Sequence, residues 1–189
     1  MKKLNLLTTA ALAAAALAVS LPVAAKGIVV NQAVTEAEVL AMQQTWCKAL
    51  VDISQTHKRD GQPAAKALAG NVIDAAYGYQ MGAVLFKPTL TTNPQTFRTT
   101  RAGALAYFVG GDSAFPKDTG FALKGWQKCE VDNAAVFIAG DSATTMGKVR
   151  ITGPDGKITT VDKTWKFVKD DAGKLRIVVH HSSLEFAGG

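Results

Sequence analysis

The segment Leu175-Arg176-Ile177-Val178-Val179-His180-His181-Ser182-Ser183-Leu184 decides the fold. Alternation along a strand places Leu175, Ile177, Val179, His181, Ser183 and Glu185 on one face. Arg176, Val178, His180, Ser182, Leu184 and Phe186 take the other. Both faces are apolar in mid-strand, so the strand is expected to be covered twice, by helices on one side and by a second copy of the chain on the other. Each face also carries an imidazole followed by a hydroxyl at the end of its apolar strip.

Upstream of this strand, segments near 122–139, 142–152 and 158–169 are rich in Val, Ile, Thr, Phe and Trp, as is 174–185. Gly140-Asp141, Gly153-Pro154-Asp155-Gly156 and Asp170-Asp171-Ala172-Gly173 join them, and these are hairpin-turn chemistries. Helices come first. Thr35 and Glu38 have the spacing of a capping box, and Val39, Met42, Trp46, Ala49, Leu50 and Ile53 then recur at helical spacing. Lys58-Arg59-Asp60-Gly61-Gln62-Pro63 breaks this helix, and a second runs from about Pro63 to Tyr77. Ala83 to Lys87 is a short strand stopped by Pro88, Asn93-Pro94 is a turn, and Arg101 to Phe108 is a third helix closed by Gly110-Gly111. The expected class is α+β, one domain over 26–189 with N-terminal helices packed on a curved, mostly antiparallel β-sheet.

Residues 1–25 read as a cleaved signal peptide: Met1-Lys2-Lys3, an uncharged Leu/Ala-rich run from Leu4 to Leu21, then small residues at Val23 and Ala25 before the cut. The competing reading is a membrane anchor, which the Thr-interrupted, Ala-rich run and its small-residue exit disfavour. Export implies a periplasmic or secreted protein, with no membrane attachment after cleavage. In such an oxidising compartment Cys47 and Cys129 are either a disulfide or two buried thiols, and sequence leaves both open. The chain has 189 residues and a formal net charge of +6, but the charge is spread out, and a solvated basic surface describes it better than a nucleic-acid site.

Several chemistries drop out. A three-histidine zinc centre needs converging ligands, yet His180 and His181 are adjacent in a strand and point apart, and His57 lies far away at a helix end. Gly-Asp-Ser-Ala occurs at both 111–114 and 140–143, which marks turn chemistry rather than a nucleophile, and no GxSxG elbow or phosphate-binding glycine loop exists. A metal-free polar pocket remains, drawn from Thr89, Tyr107, His180 and Ser182. Each of these also has a plain structural reading as a turn or core residue.

Phe86-Lys87-Pro88-Thr89, Tyr107-Phe108-Val109-Gly110-Gly111, Gly120 to Trp126, Met146-Gly147 and the Leu175–Leu184 strand resemble the iota-class carbonic anhydrases. These belong to the NTF2-like cones, which also include the SnoaL-like proteins and the kinase II association domain. The resemblance spans about 84–186. It implies reversible hydration of CO2 to bicarbonate and a proton, with Thr89, Tyr107, His180 and Ser182 lining an anion pocket. Tyr107 and Ser182 would stabilise the developing bicarbonate charge, His180 would accept a proton or orient a hydroxyl, and Phe86 and Phe108 would receive CO2. Class members are described both with zinc or manganese and without metal, and the histidine count favours no metal cofactor. Glu185 departs from the class, which tends to have proline there, and its parity keeps it out of the pocket. The alternatives are a non-catalytic NTF2-like module for small-ligand binding or oligomerisation, and a SnoaL-like isomerase using a buried carboxylate such as Asp132 or Asp162. A homodimer through the sheet is the expected assembly.

Overall fold

The computed structural model describes residues 27–28, 31–186 and 188, so the signal-peptide expectation over 1–25 lies outside the described residues. The elements are α1 (Glu36–Ala76), β1 (Leu85–Lys87), α2 (Arg101–Val109), a short 3-10 turn (Phe121–Leu123), β2 (Lys128–Ala139), β3 (Ser142–Thr152), β4 (Ile158–Lys169) and β5 (Leu175–Leu184). They build one five-stranded sheet in the order β1-β5-β4-β3-β2. β1 runs parallel to β5 and every other pair is antiparallel. The helices cover one face, as the α+β reading requires.

Local chemistry sets the helix boundaries. Thr35 caps α1 and Glu38 returns the bond to the Thr35 backbone N–H at 2.8 Å, completing the capping box. The two expected helices are the two arms of α1, separated at Gly61, whose φ of +83° breaks the helical path just before Pro63. Cys47 on α1 is joined to Cys129 on β2 by a disulfide with Cα atoms 5.1 Å apart, which ties the helix layer to the sheet edge and resolves the open cysteine question.

Two expectations are corrected. The strand expected from residue 122 begins only at Lys128. Before it, the chain turns through Gly120 and Gly125, both with positive φ. Its polar groups are satisfied by side chains rather than by a ladder. Ser54 Oγ donates to the Ala122 carbonyl at 2.6 Å and accepts from Trp126 N–H at 2.9 Å, and Trp126 Nε1 donates to the Phe121 carbonyl at 2.7 Å.

The second correction concerns β5. Lys166 pairs with Val179 but Phe167 pairs with Ile177, so Val178 is an extra residue on β5. This bulge breaks the alternation. Leu175 and Ile177 face the core before it, and His180 and Ser182 face the core after it. The two apolar faces expected from strict alternation are therefore one core face that changes parity at the bulge. A second bulge in β2, between Asn133 and Ala135, presses against Gly147. A Cβ there would lie 2.2 Å from the Asp132 carbonyl oxygen, so only glycine fits.

Candidate active site

Beyond the bulge, the inward face of the sheet presents two rows. Phe86 on β1, His180 on β5, Trp165 on β4 and Thr145 on β3 stand side by side, and Ser182, Lys163 and Gly147 form the next row. The chain leaving β1 carries Thr89 over the second row, where its Oγ1 lies 2.5 Å from Ser182 Oγ. Lys87 Nζ donates to the Ser182 backbone carbonyl at 3.0 Å and holds that strand end in place.

The last turn of α2 supplies the facing wall. Tyr107 meets Phe86 edge-on with centroids 5.7 Å apart, and Phe108 stacks on Phe86 at 5.8 Å. Tyr107 also stacks on Phe121 at 5.4 Å. Its hydroxyl is buried and makes no properly formed hydrogen bond. Burial pushes the Tyr107 pKa up, and the nearby Leu90 and Thr89 amides and Thr89 hydroxyl pull weakly the other way, so the phenol stays protonated and able to donate. Tyr107 borders a cavity of about 30 Å³ together with Leu90, Lys117, Asp118, Thr119, Phe121 and Lys124. That is room for a water-sized molecule.

All six residues singled out in the sequence, Phe86, Thr89, Tyr107, Phe108, His180 and Ser182, thus meet in one region. His180 stacks on Phe86 at 4.4 Å and is buried. However, both of its ring nitrogens are occupied. Tyr77 Oη lies 2.8 Å from Nδ1, and Lys163 Nζ lies 2.8 Å from Nε2. Trp46 Nε1 donates to Tyr77 Oη at 2.9 Å. Both nitrogens are thus engaged by side chains of the fold.

Trp46, Tyr77 and Lys163 are the residues sequence reasoning missed. Trp46 was absorbed into the apolar face of α1, and Tyr77 was read only as the end of a helix. Lys163 had a readable signal, since it alternates in phase with Val161, Trp165 and Phe167 and so occupies a core position of β4. Its amine sits 4.9 Å from the Trp46 ring centroid and 5.4 Å from that of Trp165. Burial first, and the Lys87 charge second, pull its pKa down to about 7. Burial, with the Lys163 and His181 charges, also drives the His180 pKa well below the usual imidazole value.

Asp132 and Asp162, the carboxylates that kept an isomerase open, are exposed and pair with Arg150 and Lys148. Glu185 is likewise exposed and pairs with Lys148. The buried carboxylate of Asp118 is held by Arg98 at 2.7 Å. Among the described residues no three His, Cys, Asp or Glu side chains converge as a metal site, and no helix is long and apolar enough to cross a membrane.

The fold is an α+β cone in which the hydroxyls of Thr89, Ser182 and Tyr107 gather against an aromatic wall. A family model described as metal-independent carbonic anhydrase matches residues 37–184. A metal-independent carbonic anhydrase from Nostoc sp. (strain PCC 7120 / SAG 25.82 / UTEX 2576) is 66% identical over 158 residues, covering 84% of this chain and 77% of that protein. The crystal structure of an iota-carbonic anhydrase from a cyanobacterium, complexed with bicarbonate, superposes with a TM-score of 0.84 at 64% identity. That match covers 87% of this chain and all of the other. A Xanthomonas campestris protein described as a calcium/calmodulin-dependent protein kinase II association domain shares the fold, with a TM-score of 0.55 at 24% identity over 84% of this chain and 97% of its own. The chain belongs to the metal-independent carbonic anhydrase family, enzymes that interconvert CO2 and bicarbonate without a metal cofactor. The sequence-based expectations of activity, fold and cofactor agree with this.

Burial of Lys163 has a consequence for stability. Between pH 7 and the ordinary lysine range the unfolded chain binds its proton and the folded chain does not. Stability therefore rises with pH in that window, by up to about 1.4 kcal/mol per pH unit from this group. Comparing urea midpoints of the protein and Lys163→Met at pH 7 and 9.5 should show a rise that the variant lacks; equal pH dependence would contradict it.

Proposed function

We propose that this chain hydrates CO2 in the Thr89–Tyr107–Ser182 pocket. The carrying observation is the buried, unpartnered Tyr107 hydroxyl beside the Thr89–Ser182 hydrogen bond. A buried donor without a partner is costly unless a ligand satisfies it, and the site's anion supplies that partner. Thr89 and Ser182 hydroxyls hold the attacking water. Phe86 and Phe108 give CO2 an apolar seat. As the water oxygen bonds to carbon, one C=O electron pair moves onto oxygen, and the Tyr107 O–H meets that growing charge. His180, stacked on Phe86 and bonded at both nitrogens, holds the strand and its neighbours in register. The bicarbonate bound by the cyanobacterial relative supports the same anion for this chain.

We also propose a homodimer through the outer sheet face. Phe137 (72% exposed), Met146 (62%) and Leu85 (62%) present apolar surface there. They stand beside Thr144, Thr164 and Val179 in the cross-strand registry. Export to an oxidising compartment completes the reading, supported by the basic and Ala-rich N-terminal sequence and by the Cys47–Cys129 bridge.

Three outcomes are expected. Tyr107→Phe and Ser182→Ala should each lower kcat for CO2 hydration about a hundredfold in stopped flow while leaving far-UV circular dichroism unchanged. Wild-type rates in both would remove the assignment. Met146→Lys should shift the light-scattering mass from dimer to monomer, and a monomeric parent protein would contradict the sheet interface. N-terminal sequencing of the protein from the periplasmic fraction should begin at Lys26, whereas an intact Met1 would contradict cleavage.

A further inference from the structure

The pocket is walled by two segments that lie apart in the chain. Residues 88–97 leave β1 and carry Thr89 and Leu90, and residues 111–119 follow α2, which carries Tyr107. The cavity beside Tyr107 is bordered by Leu90 from the first segment and by Lys117, Asp118 and Thr119 from the second. The Thr89 hydroxyl and the Leu90 amide stand next to the Tyr107 hydroxyl. A buried ion pair that the reaction leaves unused joins the two segments: Arg98 with Asp118, whose side chains are 2% and 5% exposed.

All three guanidinium nitrogens of Arg98 are engaged. Nη2 donates to Asp118 Oδ1 at 2.7 Å and to Oδ2 at 2.9 Å, and Nε donates to Oδ2 at 3.1 Å. Nη1 donates to the Gln95 and Phe97 carbonyls, the second at 3.2 Å. The Arg98 backbone N–H donates to the Phe86 carbonyl on β1 at 2.8 Å. One residue thus fastens β1, the Thr89 segment and the segment after α2 to one another. Two outer bonds run between the same segments, from Gln95 Nε2 to the Ala114 carbonyl at 2.7 Å and from Lys117 Nζ to the Asn93 carbonyl at 3.1 Å.

Helix α2 rests on this junction. A Cβ on Gly103 would lie 3.0 Å from Arg98 Cδ and 3.1 Å from Phe115 Cζ, and the Arg98 guanidinium lies over the Phe115 ring at 4.8 Å. Glycine is unfavourable inside a helix, and this close approach accounts for it. Tyr107 stands one turn further along the same helix face. Stability alone does not account for the ion pair, because burying two charges costs desolvation that apolar side chains of similar volume avoid. What the arginine–carboxylate fork adds is a fixed, directional geometry.

We propose that the Arg98–Asp118 pair is a positioning device for the reaction, setting the Tyr107 hydroxyl at the distance from Thr89 at which both reach the same bicarbonate. This rests on the pocket reading above and extends it to two residues that touch no substrate. The pair acts through the seat of α2 on Gly103 and through the Thr89 segment. Without the fork the two walls shift against each other, and a displacement of about 1 Å at a reacting site lowers a rate by up to about a hundredfold.

The test is a double-mutant cycle on the full chain, with kcat for CO2 hydration expressed per folded enzyme. Arg98→Lys keeps the charge opposite Asp118 and loses the fork. It should lower kcat about tenfold in the wild-type background but less than about twofold in Tyr107→Phe, where the hydroxyl it positions is already missing. Inhibition of hydration by added bicarbonate should weaken in the first background only. Gly103→Ala keeps the ion pair, favours the helix and presses α2 away from Arg98, so it should fold and show the same pattern. A purely structural pair gives losses that add, so a tenfold loss by Arg98→Lys that persists in Tyr107→Phe would overturn the proposal. Wild-type kcat in folded Gly103→Ala would overturn it as well, whether or not Arg98→Lys folds. Wild-type kcat in Tyr107→Phe would instead remove the pocket reading, and the positioning role with it.

Discussion

One extra residue, Val178, sets the inner surface of this protein. It makes β5 change parity between Ile177 and His180. Without it, the residues that pack Leu175 and Ile177 into the core would turn His180 and Ser182 out to solvent. With it, one strand contributes apolar packing at its start and polar chemistry at its end. The parallel pairing of β1 then brings Phe86 beside His180, and the Pro88 turn sets Thr89 over Ser182.

Polar groups buried this way must be satisfied or they destabilise the fold. The fold meets that demand with a hydrogen-bonded chain that links Trp46, Tyr77, His180 and Lys163, enclosed by Trp165 and Phe86. Only the Tyr107 hydroxyl and Trp165 Nε1 are left without partners among the buried side chains described. The first of these stands beside the Thr89–Ser182 hydroxyl pair. A second polar set, Gln43 with Asn133 and Thr145, is closed on itself and reads as support for the β2 bulge.

Much of this was legible in the residues. The capping box at Thr35, the hairpin turns between β2 and β5 and the Gly61 break all follow from local chemistry, and local chemistry is what a sequence states directly. The six pocket residues were legible only through motif resemblance, because Thr89 and Ser182 lie far apart in the chain and meet only in the folded sheet. The faces of β5 were misassigned because a bulge leaves no mark in a run such as Ile-Val-Val, where either parity looks apolar. The start of β2 was misplaced because Phe121 and Trp126 are good strand formers, while Ser54 claims the Ala122 carbonyl and the Trp126 N–H. The partner of each cysteine depended on a helix-to-sheet contact that no spacing rule supplies.

The central claim is that hydroxyls and a buried polar chain replace what a metal would do to water. The most direct measurement is 18O exchange between labelled bicarbonate and water, catalysed by chelator-treated protein whose metal content is determined on the same sample. The account predicts exchange that scales with protein concentration and stays constant as residual metal falls towards zero. Exchange that tracks the residual metal, or that returns only when zinc or manganese is added, would contradict it.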